Sequence, residues 1–252
     1  MKIIISPAKK MEECQDIFTP EGLPCYMEQT ARLYETLKAM TESELQQVFK
    51  ANDQITRQNY ERYQTMNPDR AQTPALLSYV GIQYQYMAPR LFSVEQWDYV
   101  KRHLRILSGF YGILRPEDGI TPYRLEMQAK LAVDGRKDLY AFWGRSLYDA
   151  LVSDEKKDEP SVIVNLASKE YSKAIEPYLA ETDRFITCIF GVLQDGKVKV
   201  KATEAKMARG EMVRFMAENN IENPEEIKKF NRLNYVYSPE HTTDNNIVFI
   251  QK

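Results

Sequence analysis

LRILSGFYGILRPEDGITPYRLEM, residues Leu104 to Met127, must turn its backbone repeatedly, because it packs two close glycines, an Arg-Pro, an Asp-Gly and a Thr-Pro into 24 positions. Working back from it, Ser93 and Gln96 have the spacing of a capping box. Trp97, Val100, Leu104 and Leu107 then recur at helical intervals, which predicts a helix from 94 to Ser108. Gly109 stands where a left-handed helix cap belongs, and Gly112 allows a second turn. The bend Gly109-Phe110-Tyr111-Gly112 is thus expected to offer backbone N–H groups to a phosphate. Working forward from Pro122, Tyr123, Leu125, Met127, Ala129 and Leu131 alternate with Arg124, Glu126, Gln128 and Lys130. This period of two predicts a strand with one charged face. Between residues 101 and 130 six bases (101, 102, 105, 115, 124, 130) face three acids (117, 118, 126), although the chain as a whole carries a net charge of −2. Positive charge is therefore concentrated locally.

The 252-residue chain is 43% hydrophobic, enough to bury a substantial core, and a single domain over residues 1–252 is expected. A pI near 5.9 argues against a protein that coats nucleic acid indiscriminately, but permits a basic cleft. Cys14, Cys25 and Cys188 show neither metal spacing nor a CxxC pair, as suits free thiols in a reducing cytosol. No apolar run reaches the length of a membrane span and the amino terminus lacks a signal-peptide layout, so a cytoplasmic location without membrane contact is expected. With only His103 and His241, the histidine-rich metal and general-base constellations are nearly closed off. Neither a Walker loop nor GxGxxG occurs, and no cofactor, metal or catalytic residue is assigned.

Along the chain, Lys2 to Ser6 reads as a buried β-branched strand stopped by Pro7, with Ser6 and Lys9 just past its end. The Ser-x-x-Lys spacing matches a lysine-activated serine, but its usual companion Lys-Thr-Gly is absent. Residues 28–64 read as solvated helices with a capping box at Thr41 and Glu44. The tyrosines between Ala75 and Met87 suit a partly buried edge better than base stacking. Asp138 is expected to cap one helix carrying Leu139, Phe142, Trp143, Leu147 and Leu151. SDEKKDEP, residues 153–160, reads as a charged surface loop tolerant of length change.

Ser161 to Leu166 is a second buried strand, followed by a short helix capped by Ser168 that bears Lys169 and Lys173. Asp195-Gly196 is a hairpin signal between Phe185–Leu193 and Lys197–Ala202. The helix from about Glu204 sets Ala208, Met212, Phe215 and Met216 on an apolar side, opposite Lys206, Arg209, Gly210 and Arg214. A glycine there costs about 1 kcal/mol against alanine, so Gly210 serves close approach, either of a phosphate backbone or of another helix. Tyr235–Tyr237 and Ile247–Ile250 are expected to pair antiparallel.

Several segments together resemble one family: the opening quotation, Ile5-Ser6-Pro7-Ala8-Lys9, Tyr140-Ala141-Phe142-Trp143-Gly144, Val164-Asn165-Leu166-Ala167-Ser168 and Ala205-Lys206-Met207-Ala208-Arg209-Gly210. They run in order along essentially the whole chain and look like the YaaA family, also called DUF328 or UPF0246. That resemblance implies a bacterial cytoplasmic protein of the peroxide stress response, linked to limiting intracellular free iron. It further implies a DNA-binding, mixed α/β fold with a helix-hairpin-helix-like element beside a basic cleft.

On this reading Lys9, Lys10, Arg105, Gly109, Gly112, Arg115, Arg124, Lys130, Lys169, Lys173, Lys206, Arg209 and Arg214 converge on one cleft. The cleft would bind duplex or branched DNA mainly through phosphates, with weak sequence specificity and no obligate protein partner. The alternative is an enzyme acting on a nucleobase, nucleoside or nucleotide, in a polar pocket formed by Ser6, Lys9, Glu126, Asn165 and Ser168.

Overall fold

The computed structural model describes residues 1–14, 18–70, 73–153 and 160–252. Its strands are β1 (Lys2–Ile5), β2 (Lys10–Met11), β3 (Thr73–Pro74), β4 (Tyr79–Val80), β5 (Leu104–Ser108), β6 (Gly112–Leu114), β7 (Gly119–Ile120), β8 (Val162–Leu166), β9 (Arg184–Gln194), β10 (Lys197–Lys199), β11 (Tyr235–Tyr237) and β12 (Asn246–Gln251). The three isoleucines of β1 are fully buried although neighbouring side chains point to opposite faces, so the strand is covered on both sides. Such a strand belongs in the middle of a parallel sheet, and β1 lies there.

The sheet order is β11-β12-β9-β8-β1-β5-β6, with β10 paired to β9. The five strands β12, β9, β8, β1 and β5 run parallel, whereas β11 and β6 close the two edges antiparallel. The chain leaves β1 for β5 on one side and later returns to β8 on the other. In an open α/β sheet such a reversal opens a crevice at the carboxyl ends of the strands.

Several expectations hold. Thr41/Glu44 and Ser93/Gln96 both form capping boxes. Helices Met27–Lys38, Glu42–Phe49 and Asp53–Thr65 fill the stretch read as helical. Asp195 and Gly196, both at positive φ, turn β9 into β10. β11 pairs antiparallel with β12. The helix Ala202–Glu218 buries Ala208, Met212, Phe215 and Met216, and packs on β9 and on helices Ile82–Met87 and Val94–His103.

The quoted stretch differs from its reading in three ways. The helix from Ser93 ends at His103, and Leu104–Ser108 is strand β5, every residue of it buried. An apolar run buried on both faces has no period of its own, and Leu104 and Leu107 happened to extend the helical one. The glycine bend therefore joins two strands, and no helix-hairpin-helix forms from it. Finally, Tyr123 to Leu131 keeps its apolar positions buried, but it belongs to no sheet and turns at Met127–Gln128, where the Ala129 N–H donates to the Glu126 carbonyl at 3.0 Å.

Elsewhere, one predicted helix is two, Leu139–Trp143 and Ser146–Val152, because Gly144 at φ 51° breaks it. Of the loop 153–160, residues 154–159 lie outside the described residues.

Candidate functional site

Ser6 follows the last residue of β1, and Ser168 lies two residues beyond β8. Because these strands are parallel neighbours, their ends meet. The Ser168 N–H donates to Ser6 Oγ at 2.8 Å, and Ser6 Oγ donates to Ser168 Oγ at 3.2 Å. Tyr84, from the helix Ile82–Met87, donates its hydroxyl to the Ser6 carbonyl at 3.0 Å. β2 pairs antiparallel with β4 and closes the chain after Ser6 over the same end. The segment 123–126, which belongs to no sheet, passes alongside.

These elements enclose a cavity of about 420 Å³. Five bases line it, Lys9, Lys10, Arg124, Lys206 and Arg209, against the two carboxylates Glu126 and Glu170, an excess of three positive charges. The aromatic residues Tyr84, Tyr123 and Tyr171 and the aliphatic Val80, Ile82 and Leu125 supply its apolar walls. Mostly apolar walls with a few convergent polar groups are the common make-up of a ligand site.

The charges form two tiers. Lys9 and Lys10 are outer, with side chains 68% and 70% exposed, and Lys206 is exposed as well. Deeper in, Glu126 Oε1 accepts from Arg124 Nη2 at 2.9 Å and from Lys9 Nζ at 3.1 Å, and the Arg124 and Glu126 side chains are each only 11% exposed. Burial holds the Arg209 guanidinium below its ordinary pKa and raises that of Glu170, whose Oε1 accepts from the Gln128 N–H at 3.2 Å.

Among the described residues six buried side-chain polar atoms lack a hydrogen-bond partner, and four belong to residues lining this cavity: Gln83 Nε2, Arg124 Nε, Glu126 Oε2 and Arg209 Nε. Buried polar atoms are nearly always paired, so their gathering here marks a place where something polar is to be received.

Of the residues picked from sequence, Ser6, Lys9, Lys10, Arg124, Glu126, Ser168, Lys206 and Arg209 come together. The others do not. Arg105 stands near the start of β5 and, with Arg115, lines two pockets at the amino ends of the strands, beside Lys2, His103, Cys25 and Asp118. It is 5% exposed and donates to the carbonyls of Lys101 and Leu104.

Gly109 and Gly112 are buried at the β5–β6 turn, and the N–H groups meant for phosphate are already taken. Ser108 Oγ accepts from Phe110 N at 3.2 Å and from Tyr111 N at 2.9 Å. Both glycines serve packing: a Cβ on Gly109 would meet the Leu125 carbonyl at 2.5 Å, and one on Gly112 the Trp143 ring at 2.8 Å.

Asn165 does not line the pocket. It is satisfied by Thr187 Oγ1 and the Ala167 N–H. Lys130 and Lys173 are exposed away from the cavity, Lys169 pairs with Glu176, and Arg214 pairs with Glu218. A lysine-activated serine does not form, since Lys9 is paired with Glu126 and Ser6 donates to Ser168.

Sequence reasoning missed Gln83, Glu170 and Tyr171, and read Tyr84 as an edge residue. The run from Ala75 to Met87 carries two glutamines, Gln83 and Gln85, and nothing in the sequence singles out the buried one.

A family model described as peroxide stress protein YaaA matches residues 1–241. The chain belongs to that family. Its relatives include UPF0246 proteins of Pediococcus pentosaceus, 52% identical over 251 residues (all of this chain and 98% of the relative), and of Agathobacter rectalis, 50% identical over 252 residues (all of this chain and 99% of the relative). The UPF0246 protein DSY0297 of Desulfitobacterium hafniense is 49% identical over 251 residues, again all of this chain and 98% of the relative. The family thus covers both strand ends and every residue of the cavity. Among the described residues no helix is long and apolar enough to cross a membrane.

Proposed function

We propose that the protein acts in the peroxide stress response by binding DNA, holding the phosphate backbone across the rim of the cavity at the carboxyl ends of β1 and β8. One observation carries the reading. Basic side chains from three sequence-distant places, 9–10, 124 and 206–209, meet around one opening with a surplus of three positive charges. Lys10, which pairs with Glu12 at 2.9 Å, and Lys206 are both exposed and suited to phosphates, while Arg124 and Arg209 lie deeper. Binding of this kind is steeply salt-dependent, with the slope of log affinity against log salt changing by about 0.9 for each phosphate neutralised.

Fluorescence anisotropy with labelled duplex and four-way-junction DNA across a salt series tests it. Saturable binding is expected. The double variant Lys10→Glu/Lys206→Glu should bind on the order of 100-fold more weakly, with a slope shallower by about 2. Failure of the wild-type protein to bind at low salt would overturn the reading.

A second reading, catalysis on a nucleobase, nucleoside or nucleotide, is favoured by the unpartnered Oε2 of buried Glu126, an oxygen placed to take a proton from a bound ligand. It requires that nucleotides or DNA incubated with the protein change mass, and that Glu126→Gln abolish the change. Unaltered masses with wild-type protein would remove it.

A further inference from the structure

The cavity and its rim differ in what they can hold. A cavity of about 420 Å³ is in the range of small-ligand sites, about 300–1,000 Å³, and cannot admit a duplex. A DNA backbone crossing the rim nevertheless lies directly over it. Only a single unit of the polymer fits inside, and a base enters only by leaving its stack, at a cost of a few kcal/mol that is least for mismatched or unpaired nucleotides.

The unpartnered atoms describe what that unit must look like. Gln83 Nε2, Arg124 Nε and Arg209 Nε are donors, and Glu126 Oε2 is an acceptor. Gln83 and Glu126 are 7% and 9% exposed, so water outside the cavity cannot readily serve them. Tyr84, Tyr123 and Tyr171 line the cavity with buried aromatic rings, and aromatic side chains are common partners of unstacked bases. A partner that satisfies the set needs carbonyl or ring-nitrogen acceptors for the donors and one N–H for the carboxylate. All four bases meet this need: guanine and thymine through oxo groups and ring N–H, adenine through ring nitrogens and its amino group, cytosine through its oxo group, ring nitrogen and amino group.

From this we infer that the cavity is a base-receiving pocket: DNA held at the rim delivers one extruded nucleotide into it. The inference rests on the DNA-binding reading and adds to it a place where pairing status is sensed. Mismatched or unpaired nucleotides become the preferred targets.

The test uses duplexes with one unpaired nucleotide X, where X is G, T, A or C, flanked on its 3′ side by 2-aminopurine, whose fluorescence rises when its stacked neighbour leaves. Anisotropy is followed in the same samples. With wild-type protein a several-fold rise is expected whichever base X is. Gln83→Leu, which removes one donor without touching the charge network, should lose the rise while keeping the wild-type salt slope. Binding with no fluorescence change would overturn the pocket and leave rim binding standing. No binding by anisotropy would overturn the DNA reading, and the inference with it.

Discussion

Gly210→Ala should destabilise the protein by about 3 kcal/mol, although alanine is the better helix former by about 1 kcal/mol. The reason lies across the helix crossing. A Cβ at position 210 would sit 2.1 Å from the Gln83 carbonyl oxygen and 2.9 Å from the Met87 nitrogen, both of them backbone atoms that no side-chain rotation can move away. The helices Ala202–Glu218 and Ile82–Met87 would have to part, opening packing around fully buried Ala208, Met87 and Met212. Chemical denaturation would read the loss, with Gly22→Ala as a control expected to be neutral, since nothing lies within 4 Å of a Cβ there. A Gly210→Ala protein as stable as the wild type would mean that the two helices can separate without cost. Gln83 and Arg209 flank the crossing and line the cavity, so a folded Gly210→Ala protein should also bind DNA differently.

The second large effect depends on pH. Asp118 is 7% exposed, and burial raises its pKa from about 3.8 to about 7, partly opposed by the Arg115 N–H that donates to its Oδ2 at 2.8 Å. Between pH 4 and 7 the unfolded chain has given up this proton while the folded one keeps it. The folded state therefore binds more protons, and this residue's contribution to stability falls as pH rises through that window. Asp118→Asn keeps an acceptor for Arg115 and carries no charge at any pH. It should match the wild type near pH 4 and be more stable by up to about 4 kcal/mol at pH 8, three pKa units at about 1.36 kcal/mol each. Urea midpoints at the two pH values read the difference, and an equal gain at both would mean that titration is not its cause.

Much of the sheet was legible. β-branched runs located β1 and β8, Asp-Gly located the β9–β10 turn, and the two capping boxes located helix starts, each being a local property of a few residues. The pocket was partly legible, because Ser6 and Ser168 immediately follow buried strands and parallel strand ends carry ligand sites. What failed depends on strand direction. Arg105 and Arg124 look equivalent in the charge count, yet Arg105 sits near the start of a parallel strand, at the opposite end from residues that follow β1 and β8. Taking β5 as helix hid that distinction. Gln83 was hidden for another reason: its position is set by the Gly210 crossing, which joins segments about 130 residues apart, and no local pattern reports a contact of that range.

The place of β1 in the sheet also bears on how the molecule comes into being. The strand made first is the one that needs partners from both sides, and those partners, β5 and β8, appear about 100 and 160 residues later. A growing chain thus carries an unpaired, uncharged Ile-Ile-Ile edge until about 160 further residues have been added, a segment open to wrong pairing with other chains. Arg209 arrives later still. The opening at the sheet's end is therefore finished late: once β8 and the residues just after it have been made, every residue that lines it is present except Lys206 and Arg209.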